Sequence, residues 1–175
     1  ETIHRLAREI RAAQLMNPGR KMIIGHGSGS FGHVPARRYR TREGVWTSEQ
    51  WSGFVEVWKQ ARDLNQIVIE VFGQEGIQAI AFPPSAFIQS AGSQPDRVFS
   101  APLASALQAG LTPMVGGDVV FDRVIGGTID STGDVFMALA DLFPPDRVLL
   151  CGKDSGVWQD YPACTQIIPK ITPES

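Results

Sequence analysis

The chain has 175 residues, 43% of them hydrophobic and 19% charged, enough to bury one sizeable core and too apolar for a disordered segment. Its formal net charge of -2 gives no general pull toward nucleic acid or an anionic membrane, so an anionic ligand has to be held by local groups. Cys151 and Cys164 lie in no metal-ligand spacing, no apolar run approaches the roughly 20 residues that cross a bilayer, and the alternating charges of residues 1–11 are unlike a secretory leader. These features predict one domain over residues 1–175, cytoplasmic, with reduced thiols and no nucleic-acid or membrane partner.

Ile3, Leu6, Ala7 and Ile10 recur at helical spacing before the stop Asn17-Pro18-Gly19, so residues 2–16 are expected to form an amphipathic helix on which His4 is a surface residue. Met22-Ile23-Ile24 is a short buried-strand pattern that runs into Gly25-His26-Gly27-Ser28-Gly29-Ser30-Phe31-Gly32-His33. Beyond the basic stretch Arg37-Arg38-Tyr39-Arg40, Thr47 and Gln50 have capping-box spacing, and Trp51, Phe54, Val55, Trp58, Ala61, Val68 and Val71 follow at helical intervals toward Gly73 or Gly76. Residues 77–82 are expected as a strand ended by Pro83-Pro84.

Ser100, Pro102 and Gly110 bracket a short helix. Residues 113–115 and 119–121 are strand candidates, with Val124-Ile125 expected to pair with the latter. Ser131 or Thr132 is expected to cap a helix over about 134–143, followed by strands over 147–151 and near 167–173. Helices alternating with short apolar strands predict an α/β layered fold with a largely parallel sheet.

The glycine loop carries the chemistry. Glycines at a strand end let the backbone approach a ligand, and successive amides aimed inward can hold phosphate oxygens without lysine. A plain strand-to-helix connection would need only two or three residues. Gly27 to Gly32 has P-loop spacing, but His33 and Val34 stand where lysine and the magnesium-binding hydroxyl belong. Gly27, Gly29 and Gly32 also match a dinucleotide fingerprint, which leaves a nicotinamide-dependent oxidoreductase as a rival, although its ribose acid would have to be Glu49 in the first turn of an expected helix. His33 can donate a hydrogen bond to a phosphate held by the loop amides, while His26 is either a site residue or a satisfied interior histidine. Asp118 and Asp122 are either loop-orienting groups or turn formers. Arg37, Arg38, Arg40 and Arg42 are expected on a solvated face, and Trp51, Phe54 and Trp58 in the core or at a subunit interface.

The segment Gly27-Ser28-Gly29-Ser30-Phe31-Gly32-His33 resembles the glycine-rich loop with terminal histidine of isopentenyl phosphate kinases, in the amino acid kinase superfamily. Phe82-Pro83-Pro84-Ser85-Ala86, Gly117-Asp118-Val119-Val120-Phe121-Asp122, Asp130-Ser131-Thr132-Gly133-Asp134 and Asp154-Ser155-Gly156-Val157-Trp158 follow in that family's order. The resemblance implies a three-layer αβα sandwich, a homodimer, and transfer of the γ-phosphoryl group of ATP, with Mg2+, to isopentenyl phosphate. It implies that His33 is catalytic and binds the acceptor phosphate, and that Gly27, Ser28, Gly32, Thr132 and Gly133 bind substrate. Gly29, Asp154 and Gly156 fall on the nucleotide side, apolar residues near Phe82, Pro84 and Phe87 border the prenyl tail, and no protein metal ligand is expected. The family's lysine-bearing segments would precede Glu1 and follow Ser175, Lys153 and Lys170 match neither, and the usual acid at Gly133 has Asp130 and Asp134 as neighbours. A fosfomycin kinase-like enzyme and a non-catalytic phosphate-binding module are the other readings.

Overall fold

The computed structural model describes residues 1–152 and 154–172; Lys153 and Pro173 lie outside them. The chain falls into two compact units, Glu1–Pro144 and Pro145–Ser175.

Among the described residues, the first unit holds every extended helix and strand. In chain order these are α1 (Thr2–Met16), β1 (Ile24–His26), α2 (Gly29–Tyr39), α3 (Ser48–Gln74), β2 (Ala79–Ala81), β3 (Ile88–Ser90) and β4 (Pro95–Val98). There follow α4 (Ala101–Gln108), β5 (Thr112–Gly116), β6 (Asp118–Asp122), β7 (Gly126–Asp130) and α5 (Thr132–Leu142). Local signals set the starts of α3 and α5, whereas Ser100, expected to cap α4, makes no side-chain cap hydrogen bond there. Thr47 accepts from the Gln50 N–H while the Gln50 side chain reaches back to the Thr47 N–H, and Ser131 and Asp134 repeat the arrangement at α5.

One sheet is three-stranded and parallel, in the order β1-β5-β2, as helix-strand alternation leads one to expect. The other is four-stranded and mixed, in the order β4-β3-β6-β7: β3 runs parallel to β6, while β3–β4 and β6–β7 are antiparallel. Only Gly117 separates β5 from β6, so one extended stretch of chain belongs to both sheets.

Alternation along that stretch defines the layers. Met114 packs with Ala7, Val68, Phe72 and Ile77 from the α1 and α3 side, whereas the next residue, Val115, packs with Leu103, Val135 and Leu139 from the α4 and α5 side. Val119 and Val120 divide in the same way, Val119 joining Val45, Phe54 and Val57. Successive residues of a strand point to opposite faces, so helices cover the strands on both sides and the fold is an αβα sandwich. Each fully buried aliphatic side chain in these clusters contributes about 1.5–3 kcal/mol.

Several expected strands move. The first begins two residues later than Met22, and residues 77–82 narrow to β2. Val124 and Ile125 form the turn while β7 makes the ladder, with Asp122 opposite Gly126 and Asp118 opposite Asp130. Asp122 causes this: its carboxylate accepts the N–H groups of Val124 and Ile125 at 2.8 and 3.0 Å and holds them out of the ladder. The short strands β3 and β4 have too little alternation to be seen in advance.

In the second unit no strand forms over residues 147–151. Val148, Leu149 and Leu150 are exposed and have no ladder partner among the described residues. In place of a strand near the end, Ile167 makes a single antiparallel bridge to Trp158.

Candidate active site at the strand and helix ends

The glycine segment is less a long loop than a sharp junction. Strand β1 ends at His26, only Gly27 and Ser28 intervene, and α2 starts at Gly29. Gly29 has φ +51°, a left-handed value at which a side chain would be strained. Ser28 occupies the cap position without capping through its side chain, and no acid sits in the first turn. The first-turn amides, which have no partner inside a helix, therefore keep their capacity to bind an anion at the positive end of α2. Arg37 and Arg38 lie in the last turn, the favourable end for cations.

The glycines divide by role. A Cβ on Gly27 or Gly29 would have nothing within 4 Å, so these two positions present bare backbone to open space. A Cβ on Gly25 would lie 2.3 Å from the Phe136 ring, and one on Gly32 would lie 2.5 Å from Ser28 Oγ. Gly25 and Gly32 are thus packing positions that seat α5 and the α2 turn. His33 is exposed and lies four residues beyond Gly29, on the same helix face.

A second helix start is tied to this junction. Thr132, the first residue of α5, donates from Oγ1 to the His26 carbonyl at 3.0 Å and accepts the Gly117 N–H at 2.9 Å. One hydroxyl so joins the ends of β1, β5 and α5. Gly133 is exposed beside it. Asp134, the carboxylate adjoining Gly133, is spent on the cap of α5, accepting from Ser131 N at 2.8 Å. Asp130 is fully buried, takes a hydrogen bond from Ser90 Oγ at 2.9 Å, and is pushed above the ordinary aspartate range chiefly by burial.

The two strand-end aspartates part company. Asp122 accepts four backbone N–H groups, those of Gly92, Ser93, Val124 and Ile125; burial works to raise its pKa, but the four donors together hold it below the ordinary value. It is a turn former. Asp118, 7% exposed, accepts the Val119 N–H at 2.7 Å, and burial pushes its carboxyl up to about 7.

The aromatic, arginine and His4 candidates take structural partners. Trp51 and Phe54 stack edge to face with centroids 5.2 Å apart, and both approach Phe121. The arginines are exposed, Arg40 paired with Glu43 and Arg38 lying over the Tyr39 ring. His4 reaches across from α1 to Glu75 at 2.8 Å. In the second unit, Asp154 accepts from Trp158 Nε1 at 3.3 Å, and a Cβ on Gly156 would lie 2.7 Å from Ile167, so both belong to a local turn. Among the described residues no cluster of three or more His, Cys, Asp or Glu side chains can hold a metal.

Two further residues meet this junction without a signal in the sequence: Gly117, whose N–H meets Thr132, and Asn65 of α3, which meets the His26 ring. Asn65 carries no local signal, because its partner is 39 positions away.

An αβα sandwich with a parallel sheet and a glycine-rich strand-to-helix junction is consistent with the fold of the amino acid kinase family. The model of that family matches residues 1–175, and the chain belongs to it. Within the family it is similar to isopentenyl phosphate kinases. It is 31% identical over 168 residues to the one from Methanothermobacter thermautotrophicus, covering 93% of this chain and 62% of that protein. It is 31% identical over 147 residues to the one from Arabidopsis thaliana, covering 82% of this chain and 44% of that protein. A solved isopentenyl phosphate kinase structure superposes with TM-score 0.83 at 30% identity, covering 92% of this chain and 66% of that one. The Thermoplasma acidophilum isopentenyl phosphate kinase product complex superposes with TM-score 0.77 at 26% identity, covering 92% and 64%. The chain thus spans less than two thirds of the length of these curated relatives. Among the described residues no helix is long and apolar enough to cross a membrane.

Proposed function

We propose that this protein phosphorylates isopentenyl phosphate to isopentenyl diphosphate with ATP, its 175 residues belonging to one amino acid kinase-like domain. The observation that carries the reading is the junction itself: backbone open to space at Gly27 and Gly29, His33 one turn further on the same face, and Thr132 tying the start of α5 to the end of β1. The names of the similar proteins supply the acceptor, a prenyl monophosphate.

Phosphoryl transfer asks for positioning and charge neutralisation more than for a nucleophilic side chain. In this reading the amides of Gly27, Ser28 and Gly29 hold phosphate oxygens, and the positive end of α2 offsets their charge. His33 donates to the acceptor phosphate, while Thr132 and Gly133 line its other side. An oxygen of that phosphate forms the new P–O bond to the γ-phosphorus as the bond to the β-phosphate oxygen breaks, and ADP leaves. Mg2+ would enter with the triphosphate and would supply charge neutralisation on the phosphates, with no side chain of this chain assigned to hold it. Asp154 and Gly156 are assigned to the nucleotide, with a cytoplasmic homodimer as the working assembly.

Incubating the protein with ATP, Mg2+ and isopentenyl phosphate tests the reading, with ADP and isopentenyl diphosphate as the expected products. Absence of turnover and of isopentenyl phosphate binding refutes it. His33→Ala is expected to fold normally and to weaken acceptor binding about 10- to 100-fold, the worth of a hydrogen bond to a charged group; unchanged affinity in calorimetry removes His33 from the site.

A further inference from the structure

The ring of His26 is engaged at both nitrogens. Nδ1 lies 3.1 Å from the carbonyl oxygen of Gly27, and Nε2 lies 2.8 Å from Asn65 Nδ2 in the middle of α3. A carbonyl oxygen can only accept, so Nδ1 carries the proton. The ring is half-buried, and burial, opposed by the bond to Gly27, lowers its pKa and favours the neutral form. In a neutral imidazole protonated at Nδ1, Nε2 is the acceptor, and the Asn65 amide is its donor. The two contacts demand one tautomer and one ring orientation.

The consequence lies in the next peptide. A trans peptide directs its C=O and N–H to opposite sides. With the Gly27 carbonyl held on the ring, the Ser28 N–H faces away from it. Gly27 itself is exposed, and a Cβ there would meet nothing within 4 Å beyond its chain neighbours. The His26 carbonyl, for its part, is held by Thr132.

We infer that His26 is a positioning residue, its ring oriented by Asn65, which pins the Gly27–Ser28 peptide so that the Ser28 amide is preset to receive a phosphomonoester. The inference rests on the phosphate-site reading above and extends it to two residues that touch no ligand. Presetting matters because an unrestrained glycine peptide would have to be ordered on each binding event, at a cost set against affinity.

Substitutions separate the two contacts. In His26→Asn the side-chain amide stands where Nδ1 stood, so it keeps the bond to Gly27 and gives up Asn65. In His26→Gln the amide reaches toward the old Nε2 position, so it keeps Asn65 and releases Gly27. Calorimetric titration of the 175-residue chain with isopentenyl phosphate, and separately with inorganic phosphate, is expected to show His26→Asn within about threefold of wild type and His26→Gln weaker by about tenfold or more. Thermal melts of both variants report any difference in folding. A long-range proton–nitrogen correlation on labelled wild-type protein is expected to show His26 protonated at Nδ1 and bare at Nε2, independently of any ligand. The opposite tautomer overturns the clamp, as does equal weakening by the two variants at matched melting temperature. A wild-type chain that binds neither ligand overturns the phosphate-site reading and the clamp's role with it, whereas normal wild-type binding with His26→Asn as weak as His26→Gln overturns the clamp alone.

Discussion

Replacing Asp118 by Asn is expected to abolish the pH dependence of stability that this one carboxyl imposes. Asp118 opens β6 almost fully buried, and its carboxyl is held at about 7 against an ordinary aspartate value of 3.8. The folded state therefore binds more protons than the unfolded state between these values. The side chain contributes nothing unfavourable below pH 4, and stability falls as pH rises from about 4 to 7, levelling above that. A gap of about three pH units is worth about 4 kcal/mol at full ionisation. The Asn variant has no such slope, although its new amide donors, if left unpaired, cost about 1–3 kcal/mol at every pH. The absolute difference at one pH is thus less informative than its change. Between pH 4 and pH 8 the stability of the variant relative to wild type is expected to improve by about 4 kcal/mol, or about 8–16 °C in melting temperature for a chain of this size. Denaturant titrations of both proteins at pH 4, 5, 6, 7 and 8 measure it, and the subtraction removes the titration of Asp130, Asp122 and His26. A difference constant to within about 1 kcal/mol across the series would show that Asp118 is well solvated or paired as an anion, and would refute the reasoning.

Thr132→Val keeps the shape of the side chain but leaves the His26 carbonyl and the Gly117 N–H without their partner, so thermal or urea unfolding should report a loss of about 1–3 kcal/mol, with Thr132→Ser close to wild type. Gly25→Ala drives a methyl to within 2.3 Å of the Phe136 ring and should destabilise by about 1–3 kcal/mol, measured by the same unfolding curves; a neutral result would mean that α5 is not seated on β1 as described. Thr47→Ala removes one half of the capping box of α3 and is expected to lower stability by about 1 kcal/mol without altering isopentenyl phosphate binding.

How much of this could be read from the sequence depends on how far each signal reaches along the chain. The starts of α3 and α5 were legible because a cap links residues three positions apart, and α1 because its apolar stripe repeats every turn. The glycine segment identified itself as a place of backbone approach through its density of glycines. The mixed second sheet was less legible. Strands of three or four residues carry little alternation, and the β6–β7 register is set by the Asp122 turn rather than by the apolar pair Val124-Ile125. The apolar residues 148–150 show the converse, a strand-like run with no neighbouring strand to pair with among the described residues.

The sequence by itself determined the class of fold, the extents of α1, α3, α4 and α5 to within a few residues and the position of the glycine segment, since these rest on periodicity and on contacts within one or two turns; α2 was not legible, because its residues read as a glycine loop and a basic stretch. Tertiary structure alone decided what each glycine does: Gly27 and Gly29 open onto space, while Gly25 and Gly32 make room for Phe136 and Ser28. It also decided the partners of His26, for Asn65 and Thr132 lie 39 and 106 positions away. Such pairs leave no local pattern, because a hydrogen bond constrains where two groups meet in space and says nothing about the length of chain between them.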